Sequence, residues 1–330
     1  MKVMVTGASG FIGGHVIDNL LERGIDVIAF DRLQKGEVLR HGVYRFLGDT
    51  RDWSSVAEAV AVCDGVIHLA GVLGTSETID DPIPAVETNI RGSLNVFQAV
   101  RQYHKRAVYI TVGNYWFNNT YSITKTTAEL LAWMFNREHG TKIAVVRALN
   151  AYGPRQKAAP VRKIMPNFIA QALRGEPITV YGDGEQVMDM IHVRDVADIL
   201  VRALLVSHEQ YSYLPERNVD NLVKFEAGTG RQTTVNDVAN EVLDAVADLV
   251  GGDRGSIEHV AMRGGEPPRS VVVGDPSTLA PLFAGSRIDL DGGVLVAPRT
   301  EPLISLEEGV AESVDWYRNQ MIAEDLDAVR

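Results

Sequence analysis

Apolar residues recur along the first thirty positions in two different periods. Lys2–Thr6 is a short apolar run that ends at a glycine. From Phe11 to Arg23, Ile12, Val16 and Leu20 fall on one helical face, and residues 26–30 form a second apolar run closed by Asp31. This pattern predicts a strand, a glycine-rich turn, a helix and a second strand. Gly24 falls where a left-handed residue ends a helix. The alternation continues down the chain. Val43–Leu47 and residues 66–71 predict strands, and Asp52 or Thr50 stands where it can cap a helix from Trp53. Residues 84–104 predict a long helix, with Val86, Ile90, Leu94 and Phe97 on one face. Residues 107–112 predict a strand, and 121–138 a helix carrying Leu130, Leu131, Met134 and Phe135 on one side. Strands that alternate with helices bury both faces of a parallel sheet.

The turn after the first strand carries the first chemistry. Gly7 permits the sharp bend, Gly10 lets a pyrophosphate approach the backbone, and Gly13 lets the helix pack close on the strand. The helix start that follows offers unpaired N–H groups to phosphate. Asp31 stands where a carboxylate accepts from the two hydroxyls of an adenosine ribose, so NAD is favoured over NADP; Arg32 beside it softens that preference. The predicted fold class is therefore α/β: a Rossmann-type doubly wound parallel sheet with a smaller C-terminal α/β substrate domain.

TGASGFIG resembles the extended short-chain dehydrogenase/reductase superfamily, in particular its NAD-dependent nucleotide-sugar epimerase/dehydratase branch of UDP-glucose 4-epimerase-like proteins, and the likeness runs along nearly the whole chain. The resemblance implies NAD as cofactor and a nucleotide sugar, most simply a UDP-sugar, as substrate. It puts Phe11, Ile12, Asp49, Thr50, Leu69, Ala70 and Gly71 beside the cofactor, and Asn89 at its nicotinamide end or in a buried bond to a neighbouring strand. His68 is structural in this family. The segment from Arg147 to Gln156 resembles the family's RxxNxYGPRQ stretch, which implies that Asn150 bonds the substrate phosphate. Asn167 and Phe168 then line the nucleotide pocket, Thr179 and Tyr181 belong to the strand against which the base packs, Arg263 takes phosphate and Glu266 takes ribose hydroxyls. A homodimer through helices 84–104 and 121–138 is implied in the same way. Residues 1–160 with 188–226 form the expected NAD-binding domain, and 161–187 with 227–330 the expected substrate domain.

Thr111, Tyr121 and Lys125 are the expected catalytic residues. Tyr121 and Lys125 lie one helical turn apart on one face, and Thr111 ends a strand, where ligands of open α/β sheets bind. Oxidising a carbinol carbon requires a base on its hydroxyl. A free tyrosine titrates near pH 10, so bringing it to about 7 takes roughly 4 kcal/mol of preferential phenolate stabilisation. Lys125 and a positive nicotinamide ring are the expected sources of that field.

Three departures from the family narrow the reaction. Only nine residues separate Thr111 from Tyr121, a short loop that suggests a more open site or a bulkier substrate. The sugar dehydratases carry Asp-Glu directly after the catalytic Thr and the decarboxylases use a nearby Glu; Val112 and Gly113 stand here instead, which favours an epimerase. Met188 occupies the place of a diphosphate-gripping Arg, with Arg162 and Lys163 as possible substitutes. An NAD-dependent nucleotide-sugar 4-epimerase is the reading this supports. A dehydrogenase, dehydratase or decarboxylase of the same family is the alternative, and a non-catalytic NAD sensor comes last.

Composition sets outer limits. The 330 residues are 45% apolar and carry a formal net charge of -11, enough to build a core and unsuited to a nucleic-acid surface. The single cysteine, Cys63, allows no internal disulfide and reads as a small buried hydrophobe. No transmembrane run, signal-peptide pattern or metal-ligand spacing is present, so a cytoplasmic enzyme without a metal or membrane partner is expected. His192, Arg194 and Asp195 read as cap and orienting residues of a helix over 193–206. A polar loop over 207–221 and short helices in the tail complete the expectation.

Overall fold

The computed structural model describes residues 1–33, 40–206, 224–267, 269–284, 286–288 and 294–328. The polar loop expected over 207–221 lies outside them.

The first half alternates as its pattern requires: β1 (Lys2–Thr6), α1 (Phe11–Glu22), β2 (Asp26–Asp31), β3 (Val43–Leu47), α2 (Trp53–Ala61), β4 (Gly65–His68), α3 (Ile83–Ala85), a π-helical turn (Val86–Gly92), α4 (Ser93–Gln102), β5 (Arg106–Val112), α5 (Thr120–His139) and β6 (Lys142–Ala148). The second half is shorter in its strands: β7 (Asn150–Tyr152), α6 (Ile164–Leu173), β8 (Ile178–Tyr181), β9 (Val187–Met188), β10 (Met190–His192), α7 (Val193–Leu205), β11 (Phe225–Ala227), β12 (Thr233–Thr234), α8 (Val235–Val250), β13 (Ile257–Val260), β14 (Val271–Val272), α9 (Ala280–Phe283) and, in the tail, α10 (Leu306–Ala328).

Seven strands form one sheet in the order β11-β6-β5-β4-β1-β2-β3, each neighbouring pair parallel. The order reverses between β1 and β4, which leaves a crevice above their C-terminal ends. One face of the sheet packs against α1 and α7 through Val16, Leu20, Val196 and Leu200; the other packs against α2, α4 and α5 through Val60, Phe97, Ala128 and Phe135. A third core lies outside the sheet, where Met165 and Ile169 of α6, Val242 of α8 and Val310 of α10 meet around Val180. This second lobe roofs the crevice.

The helix ends follow local chemistry. Asp52 caps α2 by accepting from Ser54 N and Ser55 N at 3.1 and 3.2 Å, while Thr234 and Asp237 form a reciprocal capping box on α8. Gly24 ends α1 with φ +70°, and His192 caps α7 by accepting from Arg194 N. The tail carries short helices after Asp275, a 3-10 turn over Pro276–Leu279 followed by α9, while the helix from Leu306 is longer than expected, at 23 residues. Leu279, Leu282 and Val296 join the sheet-side core beside α7, although the sequence groups 227–330 with the second lobe; Arg299 holds that segment there by donating to Asp195 at 2.5 Å and Asp198 at 2.9 Å. Among the described residues no helix is long and apolar enough to cross a membrane.

Candidate active site

The crevice opens into a cavity of about 630 Å³ that runs from the glycine turn to the second lobe. The glycine turn forms one end. Gly7 has φ +69°, and a Cβ there would also lie 3.0 Å from Ala70 N, so only glycine fits between β1 and β4. A methyl on Gly13 would collide with the Gly7 carbonyl, which is the close helix–strand approach its position implies. Gly10 is the first residue outside α1, and no side chain caps that helix, so its N-terminal amides face the cavity uncovered. Asp31 lines the same end with Arg32; its carboxylate accepts from Ser9 N at 2.9 Å and Leu33 N at 3.0 Å, which fixes its orientation and leaves lone pairs free. Thr50 is buried, and Asp49 is paired to Arg51 at 2.7 Å. Phe11, Ile12, Leu69, Ala70 and Gly71 complete the wall. This cradle fits a dinucleotide: it combines a side-chain-free approach, a free helix start and a ribose-sized carboxylate.

Asn89 differs from the direct-contact alternative. It is 1% exposed and not part of the cavity wall, although its neighbour Thr88 is. Its amide spans two elements, accepting from Val72 N at 2.8 Å and donating to Val72 O and Thr124 Oγ1, both at 3.0 Å. The π-helical turn around it supplies the local widening, a feature often found at functional sites. Asn89 thus ties the segment after β4 to α5.

Thr111, Tyr121 and Lys125 all line the middle of the cavity. Thr111 leaves β5 at its C-terminal end and donates to Lys125 O at 3.4 Å; Tyr109 donates to the same carbonyl at 3.1 Å. Asn119 caps α5 by accepting from Ser122 N at 2.9 Å, so the helix starts with Tyr121 in its first turn. The Lys125 ammonium lies 4.4 Å from the Tyr109 ring centroid. Burial lowers the Lys125 pKa to about 7 against the opposing pull of Glu129, and burial pushes Tyr121 up to about 12. In the cofactor-free protein, burial moves Tyr121 away from neutrality.

His68 is fully enclosed, bonded to Thr6 Oγ1 at 2.7 Å and Ser93 Oγ at 2.9 Å, and burial lowers its pKa to about 3. It is a neutral structural histidine. Cys63 is buried, its thiol raised to about 11.

At the far end the cavity meets Asn150, Asn167, Phe168, Thr179, Tyr181, Arg263 and Glu266, together with Met188. Asn150 donates to Asp189 O at 3.2 Å, and Thr179 Oγ1 accepts from Gln171 at 2.9 Å. Arg263 donates to Glu266 at 2.6 Å, and Thr75 donates to the same carboxylate oxygen at 2.9 Å. Three connections that the sequence did not signal join the lobes here: Thr75 to Glu266, Ser76 to Gly264 O at 2.5 Å, and Asn119 to Gly265 O at 3.2 Å. The short loop after β5 thus reaches the second lobe. No carboxylate follows Thr111, and Gly113 sits against Leu149, whose methyl a Cβ at 113 would strike.

Sequence comparison decides the family. Residues 3–212 match the model of the NAD dependent epimerase/dehydratase family. The chain belongs to the NAD-dependent epimerase/dehydratase family. NAD is accordingly its cofactor. A family member from Bacillus cytotoxicus, a UDP-N-acetyl-alpha-D-glucosaminuronate decarboxylase, is 30% identical over 228 residues, 62% of this chain and 71% of that protein. A putative UDP-glucose 4-epimerase of Methanocaldococcus jannaschii is 27% identical, covering 96% of this chain and 98% of its own. The crystal structure of Thermus thermophilus UDP-glucose 4-epimerase in complex with NAD superposes with a TM-score of 0.77 at 28% identity, over 96% of this chain and 99% of that one.

Proposed function

We propose that this family member is a nucleotide-sugar 4-epimerase acting on a UDP-sugar, with Thr111, Tyr121 and Lys125 as its catalytic residues. The observation that carries the reading is the surroundings of Thr111. Thr111, Tyr121 and Lys125 share one cavity with the glycine turn, while Val112 and Gly113 bring no carboxylate and Leu149 crowds the place where one would stand. Elimination of water needs a separate acid and base beside the reacting carbons. Epimerisation needs only that one proton and one hydride leave the carbinol and return.

Bound NAD supplies a hydride acceptor that also gives the hydride back. Gly7, Gly10, Gly13 and Asp31 would hold its adenosine and pyrophosphate, and Lys125 its nicotinamide ribose. Tyr121 takes the proton of the sugar 4-hydroxyl as the carbonyl forms, and returns it when the other face is reduced. Thr111 donates to the same sugar oxygen and steers it toward Tyr121. The positive charge of the oxidised nicotinamide is what Tyr121 requires to fall from about 12. The half-buried cavity keeps the keto sugar in place while it turns. Asn150, Arg263 and Glu266 are the residues we assign to the nucleotide end, and residues 161–187 with α8 and α10 to the lobe that carries it. We also assign a homodimer to the exposed apolar faces around Ile83, Val86, Ile123 and Leu130.

Incubating the protein with a panel of nucleotide sugars and following products by NMR tests the reading. Formation of a 4-epimer without net NADH supports it. Stoichiometric NADH identifies a dehydrogenase, loss of carbon dioxide a decarboxylase, and loss of water a dehydratase. Absence of turnover with every sugar, in wild type and Tyr121→Phe alike, leaves an NAD-binding sensor.

A further inference from the structure

The cavity wall just beyond Thr111 carries almost no polarity. Val112, Phe117, Leu149 and Val272 line it, and a Cβ on Gly113 would lie 2.3 Å from Leu149 and 3.5 Å from Val272. Gly113 has no side chain, and its N–H is taken by Ala148 O at 3.2 Å. Asn114 is therefore the first polar side chain after Thr111. It is half-buried, lines the cavity and is pinned twice: its carbonyl accepts from Phe117 N at 3.0 Å, and its Oδ1 accepts from Ser122 Oγ at 3.4 Å. Ser122 follows Tyr121 in the first turn of α5, so this bond holds the amide beside the tyrosine. Among the described residues no acceptor takes the N–H groups of Asn114 Nδ2.

Positive charge stands elsewhere in the cavity. Among the described residues its lining cations are Arg32, Lys125, Arg162, Lys163 and Arg263. Arg32 lies beside Asp31 at the glycine turn, and the Lys125 ammonium lies over the Tyr109 ring. The other three share the far end with Glu77 and Glu266, which offset all but one of their charges. A diphosphate there exceeds what remains. A carboxylate on the sugar would then enter an apolar wall without a cation of its own, which is costly. It also has about four lone-pair sites to fill, whereas a neutral oxygen is satisfied by one amide N–H. We infer that the sugar this site accepts is a neutral hexose, plain or N-acetylated, and that Asn114 is its specificity-determining residue, donating to an uncharged hydroxyl or acetamido oxygen near the reacting carbinol. The inference rests on the nucleotide-sugar 4-epimerase reading and narrows its substrate class by excluding uronic acids.

The test compares UDP-glucose, UDP-N-acetylglucosamine and UDP-glucuronate as substrates of the NAD-loaded full chain, with products read by NMR and UDP affinity by calorimetry. At least one neutral sugar should be epimerised with kcat/KM about a hundredfold or more above UDP-glucuronate. Asn114→Leu removes the donor at similar volume, and Asn114→Asp replaces it with a charged acceptor. Both should lower kcat/KM for the preferred neutral sugar by about tenfold or more. UDP lacks the sugar, so its affinity should stay within about twofold in both variants, a split that a merely structural role would not produce. Using two variants keeps the test valid if one fails to fold. Preference for UDP-glucuronate in epimerisation overturns this inference and leaves the epimerase reading intact. Neutral-sugar turnover indifferent to both variants, or loss of UDP binding in both, does the same. Release of carbon dioxide from UDP-glucuronate, or no turnover of any of the three sugars, overturns both.

Discussion

Arg147, at the end of β6, donates to Glu129 of α5 at 2.6 Å and 3.0 Å, with Glu129 fully enclosed and Arg147 nearly so. Glu129 lies one turn beyond Lys125 and two beyond Tyr121 on the same helix. The guanidinium also stacks 4.0 Å from the Tyr115 ring centroid, in the short loop after β5. One buried ion pair thus joins the lysine's helix, the neighbouring strand and that loop. Removing Glu129 leaves the buried Arg147 with only a longer ion pair to Glu226, at 3.9 Å. Glu129→Gln should cost about 3 kcal/mol in denaturant unfolding. Glu129→Gln with Arg147→Met should recover most of that stability. Because Glu129 raises the Lys125 pKa, both variants should still shift the pH–rate profile to lower pH. An unshifted profile in the double variant would remove Glu129 from any part in setting Lys125.

Lys125 gives a stability prediction with a defined sign. Its pKa falls from 10.5 to about 7 in the cofactor-free fold. Between those values the unfolded chain binds the extra proton, so this group makes stability rise with pH; below about 7 its penalty is complete. Lys125→Met should therefore stabilise the apoprotein by a few kcal/mol at pH 7 and below. The gain should shrink as pH climbs toward 10.5. Urea titrations of both proteins at pH 6, about 8 and about 9.5 check this. A gain that grows with pH contradicts it.

We propose that Asp31 sets the choice of dinucleotide. Its charge would face a 2′-phosphate, and its oxygens already hold Ser9 N and Leu33 N. Asp31→Ser should raise NADP affinity relative to NAD by about tenfold or more, helped by Arg32. Asp31→Asn keeps an acceptor and removes the charge, so it should shift preference in the same direction by less. Fluorescence titration with the two reduced cofactors measures both. Unchanged preference would place the discrimination elsewhere.

Much of this fold was legible because its signals are local. Alternating apolar periods and the glycine turn announced β1, α1 and β2, and Asp52 and His192 were visible as caps. The positions of Thr111, Tyr121 and Lys125 followed from strand end and helical spacing. What the sequence hid is long-range or collective. Thr75 meets Glu266, 191 positions away, only once the two lobes close on each other. Spacing places Lys125 one turn from Tyr121 and does not show the desolvation that raises Tyr121. Asn89 stayed open between a cofactor contact and a buried bond because polarity on an apolar face shows that a partner exists without saying which. Glu129 carried a readable signal, an acid on the buried face of α5 in register with Lys125, and sequence analysis passed it by. The helix from Leu306 runs past the expected segment because its weak amphipathic pattern conceals its length.

The central claim is reversible hydride removal at the sugar C4, with Tyr121 moving the proton. The direct measurement uses UDP-sugars deuterated at C4 in ordinary water, with products read by NMR and NADH by absorbance. The account predicts the 4-epimer with deuterium kept at C4, no net NADH, and loss of the reaction in Tyr121→Phe with NAD still bound. Deuterium lost to solvent, release of carbon dioxide or water, or accumulation of reduced cofactor would contradict it.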